Sequence, residues 1–205
     1  MGSKAEQVYA CTKNKLDSLI RNPAGSKAVL AELRKGLGKR PGEIPKLWGI
    51  LFSDMPEEMF SKGREASKEE WAVYIALTLF ASHQQGHSIE KECMYSVERP
   101  LGRALAMLVT RNEGTDQKEE REREANKVIQ KFNAMATTDE ISGLSYHLRN
   151  MVSLLSSRGI SLDYADLAKD LYRYQFDDGA FPVRLKWGQD LYRELNNYNK
   201  KEESK

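Results

Sequence analysis

The sequence predicts an all-α protein built as two small helical bundles packed together. Apolar residues recur at spacings of three and four along nearly the whole chain, as in helices that bury one stripe. No segment alternates apolar and polar residues as a half-buried strand does. Serine, threonine or aspartate precedes several of the periodic runs, and glycine or proline follows them, where helices start and stop.

The elements follow in chain order. Val8, Leu16, Leu19 and Ile20 predict a first helix that stops near Asn22-Pro23. A second runs from about Ser26 to Lys35, with Val29, Leu30 and Leu33 on one face. The segment Ile44 to Phe60 carries Leu47, Trp48, Ile50, Leu51 and Phe52 but is interrupted by Pro45 and Pro56, so it reads as one or two short helices. Ser67-Lys-Glu-Glu70 is a capping box. The helix behind it, Trp71 to Gln85, is apolar almost all round and belongs at the centre of the N-terminal core, with Gly86 as its stop. Leu101 to Thr110 aligns Leu101, Leu105 and Leu108.

Residues 112–127 form the one strongly polar stretch, rich in both signs of charge, and they mark the boundary between the bundles. The expected division is residues 1–111 and 112–205, with 112–121 as the junction. A helix from Glu122 to Ala136 then carries Val128, Ile129 and Phe132, and Thr137-Thr-Asp-Glu140 reads as a second capping box. The next helix, Ile141 to Arg158, aligns Leu144, Leu148, Met151, Val152 and Leu155, and Gly159 stops it. Asp163 caps a helix with Leu167, Leu171 and Tyr174, and a last helix from about Val183 to Asn197 carries Leu185, Leu191, Tyr192 and Leu195.

A chain of 205 residues that is 40% hydrophobic can bury a core. The formal net charge is only +2, so the protein is not basic overall. Its charge is unevenly placed. Residues 1–50 hold ten Lys and Arg against four Asp and Glu, and residues 51–98 hold four against nine. Such asymmetry suits one face for an anionic partner and another for something else. Cys11 and Cys93 are far apart and in no motif, which argues against a disulfide framework and for a reducing cytoplasm. No apolar signal region opens the chain, and the longest apolar run, Trp71 to Ala81, falls short of the roughly 20 residues a membrane span needs.

The residues Leu33-Arg-Lys-Gly-Leu-Gly-Lys-Arg-Pro-Gly-Glu43 carry four cations, Arg34, Lys35, Lys39 and Arg40, with no acid between them. Gly36 and Gly38 allow the backbone to turn and approach a partner, and the cations suit phosphate. The competing reading is a helix C-terminus whose cations complement the dipole and whose glycines stop the helix. Nucleotide motifs fail here. Arg40 stands where the Walker pattern needs Ser or Thr after Gly38-Lys39, Leu33 holds its first glycine position, and Pro41 replaces the third glycine of the dinucleotide pattern. Both patterns also need a preceding strand.

No catalytic or metal site emerges. His83 and His87 have a chelating spacing, but Gly86 interrupts the helix between them and no third ligand is evident. His147 stands alone, no Gly-x-Ser-x-Gly elbow occurs, and no Cys, His and Asn group together. Neither an enzyme, a cofactor nor a metal is expected. Further cations stand in Arg99-Pro-Leu-Gly-Arg103, at Lys127 and Lys131, at Arg149, and in Arg184-Leu-Lys186-Trp187. Taken singly, each is an exposed charge by default. Trp48, Trp71 and Trp187 are expected in the core rather than under nucleobases. The candidate nucleic-acid set is Arg34, Lys35, Lys39, Arg40, Arg103, Lys131, Arg149, Arg184 and Lys186. Without a recognition-helix motif, such a set predicts backbone contacts rather than base readout.

The run from Leu33 to Trp48 resembles the CasB family, the small subunit of the type I-E CRISPR surveillance complex, Cascade. Further segments match in the same order: Ala76 to Gln85, Leu101 to Ala106, Lys131 to Ala134, Tyr146 to Arg149, Leu162 to Ala168 and Val183 to Gly188. The resemblance spans about residues 13–196, while the acidic stretch Glu113 to Glu124 matches nothing in the family. It implies a non-catalytic subunit, present in two copies beside the other Cascade subunits, that helps hold the crRNA–target DNA hybrid and the displaced strand. The rival readings are a helical protein-interaction adaptor without a nucleic-acid role and a small helical enzyme of unrecognised type.

Overall fold

The computed structural model describes residues 3–110 and 118–203. Among them are nine α-helices and no β-strand, so the chain is all-α. The only pairing of extended backbone there is an isolated parallel bridge between Tyr95 and Leu162. Residues 112–117 of the expected junction lie outside the described residues, and 118–121 are the start of a helix.

Helix α1 (Lys4–Arg21) and α2 (Pro23–Lys35) meet at a single residue. Pro23 takes the first helical position, where its missing N–H is no loss, and the Asn22 side chain accepts from the Gly25 amide at 3.2 Å. Asn22-Pro23 therefore both stops α1 and starts α2, three residues ahead of the predicted Ser26. Short 3-10 turns at Pro45–Leu47 and Glu57–Met59 flank α3 (Trp48–Phe52). The Ser67 capping box before α4 (Lys68–His83) is formed. Ser67 Oγ accepts from the Glu70 amide at 3.0 Å, and Glu70 Oε2 accepts from the Ser67 amide at 2.7 Å.

Helices α5 (Leu101–Thr110), α6 (Lys118–Ala136), α7 (Ile141–Ser157), α8 (Tyr164–Tyr174) and α9 (Ala180–Glu203) complete the fold. The second capping box is not formed. Glu140 takes the N-cap of α7 without a side-chain bond, and the hydroxyls of Thr137 and Thr138 donate to the Ala134 carbonyl instead. Threonines placed just past a helix satisfy its last carbonyls, and here that bond closes α6 rather than opening α7. Asp163 does cap α8, accepting from the Ala165 and Asp166 amides at 3.1 and 3.0 Å.

Helix α4 is buried on nearly every side, with α1, α2, α7 and α8 packed around it. Helix α1 also lies on α8, and α5 lies on α9. Buried apolar side chains from both halves of the chain join in one continuous cluster. The long connection after α4 is tied down where it passes α8. Gln84 donates to the carbonyls of His87 and Glu92, and Leu162 donates to the Met94 carbonyl at 3.0 Å.

Three expectations about the core change. Val183, Trp187 and Leu191 form the buried stripe of α9, which leaves Leu185 and Tyr192, together with Phe181, on its outer side. Trp48 is half exposed because Leu47 and Leu51 take the inward positions, and its indole N–H donates to the Gly42 carbonyl at 3.2 Å. Trp71 is only partly buried. Trp187 alone of the three tryptophans is fully buried, as expected.

Candidate nucleic-acid interface

The basic loop is anchored on α4 at Gly36 and tied at its far end by the Trp48 bond to the Gly42 carbonyl. At Gly36 the chain runs against α4. The Tyr74 hydroxyl donates to the Gly36 carbonyl at 2.8 Å, and a Cβ on Gly36 would stand 2.7 Å from both that hydroxyl and Leu47 Cδ1. A larger residue there would have to displace those side-chain ends. Burial pushes the Tyr74 pKa up to about 12, so the phenol remains a donor. Beyond this anchor Gly38 and Gly42 take φ values of +79° and +91°, which glycine alone adopts freely. The turn between them is self-bonded: the Arg40 amide donates to Glu43 Oε2 at 2.8 Å, and the Glu43 amide donates to the Arg40 carbonyl at 3.2 Å. Lys39 and Arg40 extend from this turn into solvent.

Helix α7 supplies the opposite wall. Leu144, Leu148, Met151, Val152 and Leu155 face the core. Helical geometry then places Ser142, Ser145, Tyr146 and Arg149 on the outward side. These four line a cleft of about 580 Å³ with Leu37, Gly38, Lys39, Arg40 and Trp71, and Glu65 and Glu140 add two carboxylates. Among the described residues no ion pair engages Lys39, Arg40 or Arg149.

The remaining candidate cations lie elsewhere. Arg34 Nη1 donates to the Ala81 carbonyl at 3.4 Å, and its side chain borders a different depression, between α2 and residues 84–90. Lys35 pairs with Glu32 at 2.7 Å. Arg103 bonds Glu194 at 3.0 Å and the Glu98 carbonyl at 2.9 Å. Arg184 is held by Asp139, the Thr138 carbonyl and the Tyr174 hydroxyl, each at 2.8 Å. Lys186 bridges Asp166 at 2.7 Å and Asp170 at 2.8 Å, and Trp187 Nε1 donates to the same Asp170 at 2.7 Å. Burial opposes the charge on Lys186, but the two carboxylates outweigh it and hold its pKa above the ordinary lysine value. Lys131 is exposed on α6 and forms no ion pair among the described residues.

The structure thus brings together three of the nine predicted cations and adds Tyr146, Ser142 and Ser145, which sequence reasoning did not select as site residues. Their sequence signals were the spacing opposite the α7 leucines and, for Tyr146, its place in the family-like segment Tyr146 to Arg149. The histidine pair does not converge: His83 Nδ1 meets the Tyr164 hydroxyl at 2.8 Å in the core, while His87 pairs with Glu92 at 3.2 Å. Among the described residues no group of three or more metal-ligating side chains gathers, and no helix is long and apolar enough to cross a membrane.

The fold is similar to that of CasB from Thermobifida fusca, with a TM-score of 0.69 and 26% identity over 91% of this chain and 98% of that one. CasB from M. ruber gives a TM-score of 0.63 and 25% identity over 91% and 97% of the two chains. A chain of a CRISPR RNA-guided surveillance complex gives 0.72 and 19% identity over 95% and 98%, a likeness of fold alone. No curated protein matches the sequence. The family model for CRISPR-associated protein Cse2 matches residues 29–192, most of the chain. The protein therefore belongs to the Cse2, or CasB, family, the non-catalytic small subunit of the type I-E Cascade complex.

Proposed function

We propose that this chain works in the cytoplasm as a subunit of a crRNA-guided surveillance complex, beside the other Cascade subunits and a second copy of itself. In that role it contacts the crRNA–target DNA hybrid and the displaced strand through their phosphates. The observation that carries the reading is the cleft between the glycine-hinged loop and α7, where Lys39, Arg40 and Arg149 converge without acidic partners of their own. Lys131 is a further contact on α6. Arg103, Arg184 and Lys186 already neutralise carboxylates and make weaker candidates. Residues 1–111 and 112–205 form the two bundles, packed so that each supplies one wall of the cleft.

A protein-binding role has its own support in Phe181, Leu185 and Tyr192, exposed along the outer side of α9. It fits attachment to neighbouring subunits and is compatible with the cleft. The deciding experiment replaces Lys39, Arg40 and Arg149 with Ala and titrates nucleic-acid binding against salt. Each lost phosphate contact should flatten the log–log salt slope by about 0.7 to 0.9. Unchanged affinity and slope in a folded variant would return the loop to a plain helix terminus.

A further inference from the structure

We infer that the cleft receives one unpaired nucleobase, stacked on Tyr146, between phosphates held by Lys39, Arg40 and Arg149. The inference rests on the backbone reading above and adds a base contact to it.

Tyr146 is 64% exposed, among the most exposed large side chains of the chain. It cannot turn inward, because its neighbours Leu144 and Leu148 occupy the buried face of α7 completely. The edge-to-face contact with His147, at 5.6 Å and 78°, is with an adjacent side chain on the same helix. The ring therefore stands at the wall of a cleft whose volume, about 580 Å³, falls in the range of small-molecule sites. Phosphate attraction alone does not account for this lining. Three cations face two carboxylates, Glu65 and Glu140, so the net charge of the lining is low. An aromatic platform supplies a contact that charge does not, since every base presents a π-face whatever its identity. Ser142 donates to Glu140 Oε2 at 3.4 Å, and the Ser145 hydroxyl on the same wall can donate or accept, which also favours binding without sequence choice. In a duplex the bases are stacked on each other and closed to a side chain, so the occupant is a single strand, of DNA or RNA.

The test measures binding of the full chain at low salt to labelled single-stranded oligo-dT, oligo-rU, an abasic strand of equal length and a matched duplex. Tyr146→Ala should weaken the base-bearing single strands about tenfold or more and leave abasic and duplex binding unchanged. Tyr146→Trp should retain the unaltered affinity. Whichever of oligo-dT and oligo-rU loses more identifies the strand that occupies the cleft. Equal weakening of abasic and base-bearing strands, or no weakening of either, overturns the stacking. If Tyr146→Ala is silent while the Lys39, Arg40 and Arg149 triple variant loses binding, the stacking alone falls. If the unaltered chain binds none of the strands, the backbone reading falls and the stacking with it.

Discussion

Lys186 and Arg149 both lie on helices near aromatic residues, yet their surroundings give them opposite roles. Asp170, whose side chain is 2% exposed, depends on Lys186 for its charge balance. Lys186→Ala strands that carboxylate, and a loss of about 3 kcal/mol in urea unfolding is expected, with no change in the salt slope of nucleic-acid binding. Arg149 has no such partner, so its removal should act on binding and leave stability nearly unchanged. His83 gives the residue scale a pH dependence. Burial, reinforced by His87, lowers its pKa to about 4 from the ordinary 6.5. Between those values the unfolded chain binds the proton and the folded chain does not, so stability falls as pH drops through that window. The full loss is about 3 kcal/mol at about 1.4 kcal/mol per pKa unit. Burial raises Asp163 and Asp170, which acts in the opposite sense at the acid end. The difference between the unaltered chain and His83→Gln isolates the histidine. Urea midpoints at about pH 7.5 and about pH 5 should diverge less in the variant.

At the scale of elements, the contact of α5 with α9 is set by one small residue. A Cβ on Gly102 would lie 2.4 Å from the Trp187 carbonyl and 2.8 Å from the Leu191 amide, both backbone atoms that cannot swing aside. Gly102→Ala should force the helices apart at a cost of about 1–3 kcal/mol, seen as a lower midpoint in thermal unfolding. Gly188→Ala, on α9 itself, meets open space and should hold or slightly raise the midpoint. The loop after α2 also starts at a glycine, though its close neighbours there are side chains. Gly36 admits Tyr74 and Leu47, and beyond that anchor Lys39 and Arg40 line the cleft shared with α7.

For the whole molecule, the candidate interface exists only because the two halves are packed together. The loop of Lys39 and Arg40 comes from the first half, Tyr146 and Arg149 from the second, and one apolar cluster runs through both. Unfolding should therefore be a single transition. Urea curves followed by helical circular dichroism and by tryptophan fluorescence, with Trp71 in one half and Trp187 in the other, should coincide. Two separated midpoints would show that the halves fold independently.

The sequence by itself determined the helical class and most helix positions, because periodicity and caps are local: the Ser67 box and the Asp163 cap need only neighbours within three residues. It misassigned the Thr137 box because a threonine between two helices can serve either end. It marked Lys39 and Arg40 by density of charge alone. Which cations are free, however, was a tertiary matter. Lys186 meets Asp170 across 16 positions, Arg184 meets Asp139 across 45, and Arg103 meets Glu194 across 91. No local pattern encodes such partners. Tyr146 became a candidate in the same way: Arg149 is its neighbour on α7, but only the packed chain brings that ring beside Lys39 and Arg40.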